Sequence, residues 1–120
     1  IAELALDAGL PAGVLNIVAG SGRVVGEALV NHPDVDKVTF TGSPGVGRGI
    51  MKGAASNFKH VSLELGGKSA NVIFEDADIA AATKSAASGV FFNAGQVCSA
   101  GSRVLAHEKV YDEVVAPVSA

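Results

Sequence analysis

Two side chains in this sequence are candidates for bond-making chemistry. Cys98 is the single cysteine, set in the small-residue stretch Gly95-Gln96-Val97-Cys98-Ser99-Ala100-Gly101. A thiol attacks only as its thiolate, which needs nearby dipoles or a base. The plainer alternative is a buried, inert cysteine. Glu64 is a carboxylate inside an apolar run, His60–Leu65, just before the break Gly66-Gly67. In a cleft its pKa would rise, which suits a general base. The alternative is a surface glutamate on the outer face of a strand.

Two glycine-rich turns could hold phosphate. Gly20-Ser21-Gly22 with Gly26 follows an apolar run and opens a helical one. Backbone N–H groups at such a place can meet a dinucleotide, although the GxGxxxG spacing is one residue longer than the common fingerprint. A tight turn with close helix packing would use the same glycines. The second turn, Gly42-Ser43-Pro44-Gly45-Val46-Gly47, has GxxxxG spacing but continues Arg48-Gly49. The lysine and hydroxyl that a nucleoside-triphosphate loop requires are both missing, so that reading is rejected. What survives is a second turn carrying a hydroxyl and backbone donors at a helix start. His32, His60 and His107 show no metal-ligand spacing.

The elements that must position these groups alternate. Helical spacing ends at Gly9, and Val14–Ala19 reads as a short buried strand. Ser21 is a possible cap for a helix that stops before Pro33. Lys37–Thr41 reads as a strand and Ile50–Ala54 as helix. His60–Leu65 alternates, with Glu64 opposite to Val61, Leu63 and Leu65. Asn71–Phe74 is a further strand, and Glu75–Asp78 leads acidically into a long helix from Ile79 to about Phe92. Arg103–Ala106 is a strand and Val110–Val115 a helix. Short apolar strands alternating with helices predict a parallel α/β sheet.

Composition narrows the function. Of 120 residues, 48% are apolar and 15 are glycine, while only 18% are charged. That excludes a disordered chain. Nine basic against twelve acidic residues exclude a basic nucleic-acid binder. No apolar run is long enough to span a membrane. One cysteine excludes an internal disulfide framework and fits a reducing compartment or a reactive thiol. The first residues read as the end of a helix and the last as an amphipathic start, so a piece of a larger protein is expected.

Together the segments AGLPAGVLNIVAGSG, VTFTGSPGVG, VSLELGGKSANVIFEDAD and FFNAGQVCSAGSR resemble the aldehyde dehydrogenase superfamily over nearly the whole chain. The most specific motifs are LELGGK and GQxC, which put Glu64 and Cys98 34 residues apart. The resemblance implies an α/β fold: a partial Rossmann-like parallel sheet of a cofactor domain (residues 1–66), joined to the start of an α/β catalytic domain (67–120). It implies that Cys98 attacks the aldehyde as a thiol and that Glu64 activates the water that hydrolyses the resulting thioester. The Cys98 N–H matches half of an oxyanion hole, whose other half is an asparagine in a motif this sequence does not contain. Ser43 matches a pyrophosphate contact, Thr41 and Gly42 positions beside the nicotinamide half, Gly22 and Gly26 the turn near the adenosine half, and Leu65 a backbone contact at the nicotinamide end. The cofactor is NAD or NADP; the residues that choose between them lie outside these motifs. Glu64 favours the hydrolytic branch over acyl transfer to coenzyme A. A small-molecule aldehyde as substrate, a homo-oligomer when complete, a cytoplasmic location and no nucleic-acid or membrane partner are the further implications. A piece of this size, lacking the remaining parts of both domains, is expected to be inactive alone, and the rival reading is a partial binding or structural module. Its exposed apolar patches would favour aggregation.

Overall fold

The structure, a computed structural model, describes residues 1–118. It divides into two compact units, Ile1–Phe40 with Gly45–Leu63, and Thr41–Pro44 with the chain from Glu64 onward.

In the first unit, helix α1 spans Ala2–Asp7. Its last turn closes where Ala8 donates to Leu4 and Gly9 takes a φ of 90°, a conformation that glycine adopts without steric cost. A π-helical turn, Gly22–Gly26, runs into α2, Glu27–Asn31. Val24 and Val25 both donate to the Ser21 carbonyl, so the main chain of Ser21 starts the turn while its side chain makes no capping bond. Gly20 is required here because a Cβ would lie 2.5 Å from Val25 Cγ2. The helix ends at Asn31, two residues before Pro33, as the restriction on residues preceding proline dictates. Helix α3, Pro44–Ala54, turns Ile50, Ala54 and the backbone of Gly47 inward.

Strands β1, Lys37–Gly42, and β2, His60–Leu65, form a two-stranded sheet. In β2 the alternation is as expected: Val61, Leu63 and Leu65 are half-buried, and His60, Ser62 and Glu64 are exposed. The last residues of both strands, Thr41-Gly42 and Glu64-Leu65, belong to the second unit.

One expectation fails. Val14–Ala19 is neither buried nor a strand; Val14, Leu15, Ile17 and Val18 are 65, 43, 59 and 67% exposed. A strand exists only through hydrogen bonds to a neighbour. The described residues offer this segment no neighbour, so its β-prone composition finds no ladder.

The second unit is a β–α–β–α arrangement. β3, Ala70–Ile73, pairs in parallel with β4, Arg103–Ala106, in the register Ala70↔Arg103 to Ile73↔Ala106. The crossover is α4, Ile79–Phe91, and α5, Tyr111–Val118, follows β4. Asp78 caps α4, its carboxylate accepting from the Ala81 N–H at 3.0 Å. Ile73, Ala86, Val110 and Val114 form the core of this unit, with Ile79, Ala82, Val104 and Ala106 packed around it. Full burial of each of the larger aliphatic side chains is worth about 1.5–3 kcal/mol. Lys109 pairs with Glu75 at the surface, a contact worth less than about 1 kcal/mol.

Candidate active site

In the second unit, Cys98 lies on an exposed turn in the connection from α4 to β4. The turn closes where the Ala100 N–H donates to the Val97 carbonyl at 3.0 Å. Just before it the backbone is left-handed at three successive residues, Asn93, Ala94 and Gly95, with φ of 50, 55 and 73°. Gly95 suits this on two counts: its φ, and the Val90 carbonyl 3.1 Å from where a Cβ would stand. Ala94 has no such freedom, and left-handed geometry costs an L-residue roughly 1–2 kcal/mol. Asn93 tightens the run by donating its side-chain amide to the Gln96 carbonyl at 3.2 Å.

Glu64 is the penultimate residue of β2, exposed where the strand gives way to Gly66-Gly67. Neither glycine has a heavy atom within 4 Å of its would-be Cβ, so their backbone is open to approach. The segment beyond is pinned. Arg103 Nε donates to the Lys68 carbonyl at 2.9 Å, and the Arg103 N–H donates to Ser69.

Thr41, Gly42, Glu64, Leu65 and Cys98 all line one open hollow of about 550 Å³. The sequence argument singled out all five. Ser43 is exposed between two residues at its edge, Gly42 and Pro44. Lys68, Gln96 and Val97 also line it; Lys68 and Gln96 stand in the LELGGK and GQxC motifs, but sequence reasoning gave none of the three a role. Glu64 is exposed, as the surface alternative of the sequence argument had it, and at the same time lines the hollow.

Gly22 and Gly26 fall elsewhere. They line a second cleft, a groove of about 900 Å³ in the first unit whose walls include Val30 and Asn31 of α2 and Gly49, Ile50 and Gly53 of α3. Gly22, Gly26 and Gly49 have nothing within 4 Å of a would-be Cβ, so a ligand can approach the helix backbones. Arg23 and Lys52 supply positive charge and Glu27 negative charge at its edges. Gly49 entered the sequence argument only through the rejected triphosphate loop and Gly53 not at all, although glycines four apart in a helical run already suggest close approach on one face.

The histidines sit apart from both clefts. His32 Nδ1 accepts from the Asp34 N–H and His107 Nδ1 from the Lys109 N–H. Among the described residues no three His, Cys, Asp or Glu side chains gather to hold a metal. No helix among them is long and apolar enough to cross a membrane.

Known proteins resemble this chain closely. An aldehyde dehydrogenase of Emericella nidulans is 56% identical over 116 residues, which are 96% of this chain and 23% of that protein. An aldehyde dehydrogenase from Bacillus cereus, solved as its NAD+ complex, superposes with a TM-score of 0.89 at 53% identity, over 98% of this chain and 24% of that one. An NADP-dependent enzyme from E. coli gives a TM-score of 0.88 at 44% identity, again over 98% and 24%. The chain thus spans about a quarter of the length of the relatives it matches. The model of the aldehyde dehydrogenase family covers residues 1–120, and the chain belongs to that family.

Proposed function

We propose that these residues form the catalytic heart of an enzyme that oxidises an aldehyde to a carboxylic acid with NAD or NADP. The observation that carries this reading is the convergence of the thiol of Cys98 and the carboxylate of Glu64 on one hollow. The thiolate of Cys98 adds to the aldehyde carbon, forming a C–S bond and a thiohemiacetal oxyanion. The Cys98 N–H is one donor to that oxyanion, and the second comes from outside this chain. A nicotinamide held beside Thr41, Gly42 and Leu65 would supply the hydride acceptor for the adduct carbon. The acyl group is then a thioester on Cys98. Glu64 takes a proton from water, the hydroxide adds to the acyl carbon, and the C–S bond breaks to return the thiolate.

The residues fit the dinucleotide. Open-backed glycines line the α2–α3 groove, and Thr41, Gly42 and Leu65 border the thiol hollow. In this reading Gly22 and Gly26 receive the adenosine half, Ser43 holds the pyrophosphate, and Thr41, Gly42 and Leu65 flank the nicotinamide end. Residues 1–66 belong to the cofactor domain and 67–120 to the catalytic domain of a longer, homo-oligomeric chain. The lone thiol supports a reducing compartment, in our reading the cytoplasm. The 120 residues alone are a partial module without activity, because catalysis needs all the parts assembled.

The test is product analysis on the full-length enzyme. Aldehyde-dependent reduction of NAD or NADP with release of the carboxylic acid is the expected result. Transfer of the acyl group to coenzyme A in place of hydrolysis would overturn the role of Glu64. Dinucleotide reduction by the purified 120-residue chain would overturn the expectation that it is inactive alone.

A further inference from the structure

Lys59 has no part in the chemistry above, yet it is one of two polar residues buried among the described ones, at 6% exposure. Its ammonium donates to the Val30 carbonyl at 2.6 Å and to the His32 carbonyl at 2.8 Å. Among the described residues no carboxylate pairs with it. Its partners are main-chain oxygens at the carboxyl end of the helical run from Gly22 to Asn31. There the last carbonyls lack intrahelical donors and the dipole gathers negative charge. A buried lysine is rare unless something specific holds it. Here the hold is on the end of α2.

Two neighbours act on the same place. Gly53 of α3 lies so close to α2 that a Cβ would stand 2.5 Å from Val30 Cγ1 and 2.9 Å from Asn31 Oδ1. Asn57 donates its side-chain amide to the carbonyls of Pro33 at 2.8 Å and Val35 at 3.2 Å. Phe58, left-handed at φ 57° and fully turned out, lets the chain double back between them. Residues 53–59 therefore grip residues 30–35 from one side. Val30, Asn31 and Gly53 are themselves walls of the α2–α3 groove.

We infer that Lys59 is a positioning residue for dinucleotide binding: by holding the carboxyl end of α2 against the Gly53 face of α3, it fixes the width of the groove. The inference rests on the proposed reading that this groove takes the adenosine half. Lys59 lies outside the lining of the groove and acts through Val30. Its loss is read in affinity for the dinucleotide and leaves the chemical step at saturation alone.

The experiment is calorimetric titration of NAD+ and NADP+ into the full-length enzyme and its variants, with kcat at saturating dinucleotide and a melting temperature for each. Lys59→Met is expected to weaken binding about two- to thirty-fold, the range over which residues without ligand contact modulate a site. The kcat should stay within about two-fold of the parent. Lys59→Arg keeps the charge and should restore part of the affinity. Gly53→Ala pushes α2 away with Lys59 intact, so it too should raise Kd, and these two variants decide the matter if Lys59→Met does not fold. Gly49→Leu fills the groove directly and tests the underlying reading. Unchanged affinity in folded Lys59→Met and Gly53→Ala, with loss in Gly49→Leu, overturns the role of Lys59 alone. Unchanged affinity in Gly49→Leu overturns the placement of the adenosine half instead. A fall in kcat at saturation as large as the fall in affinity also overturns the positioning role.

Discussion

The two clefts are built from different materials. The thiol hollow is walled by irregular chain: a strand end at Glu64, the Gly66-Gly67 break, the left-handed Gly95 that closes the run from Asn93, and the turn at Cys98. The α2–α3 groove is walled by helical chain, the π-helical turn with α2 and α3, in which side chains are missing at Gly22, Gly26, Gly49 and Gly53. Reactive groups sit in the first, and an accommodating shape is provided by the second. Irregular backbone can aim a side chain where no helix or strand would, at a cost in conformational strain. Helical backbone costs little to hold rigid and, at Gly22, Gly26 and Gly49, leaves open surface. Substitutions in the hollow should therefore change the rate of chemistry, and substitutions in the groove should change affinity.

The largest test of this contrast is Cys98→Ala in the full-length enzyme. It removes the proposed nucleophile and should lower kcat by about 10⁴-fold or more with the dinucleotide Kd unaltered. Rapid-mixing measurements should find no burst of reduced dinucleotide. Next comes Glu64→Gln, expected to slow steady turnover by about 10²–10³-fold, the reach of a general base. The burst should survive, because the acyl-enzyme still forms. Equal steady-state rates for variant and parent would break the contrast at its centre. On the groove side, Gly26→Val should raise the KM for the dinucleotide by about ten-fold and spare kcat. An effect on kcat instead would show that the groove does more than hold. The smallest effect belongs to the strain itself. Ala94→Gly frees a left-handed residue and should raise stability by about 1 kcal/mol in chemical denaturation. An unstable Ala94→Gly would mean that the left-handed run is relaxed in place.

Much of this was legible in the residues. Periodicity located β2 and β4 to the residue, and the acidic lead Glu75–Asp78 marked the start of α4. The motifs also brought Cys98, Glu64, Leu65, Thr41 and Gly42 to one place, since each flanks a chain reversal at a strand or helix end. Val14–Ala19 was misjudged for an instructive reason: β-propensity records fitness for a sheet, and a partner must still be supplied. The left-handed run at 93–95 was hidden because only Gly95 carries the usual compositional mark, and Ala94 is the residue least suggestive of positive φ. Lys59 was hidden because burial of a lysine depends on which carbonyls happen to lie within its reach, and sequence spacing says nothing about a partner 29 residues away.

The parallel register of β3 and β4 also sets a timetable. Parallel neighbours cannot zip from a hairpin; they meet only after the intervening chain has been made and its loop closed. Cys98 lies inside that intervening chain. On the ribosome, Cys98 emerges five residues before Arg103, and at about 5–20 residues per second the gap is about 0.3–1 s. Through that interval the thiol exists without the wall that Arg103 pins through Lys68. The thiol proposed as the nucleophile is thus made before its surroundings are complete. A chain stalled before β4 would carry a bare cysteine and no site.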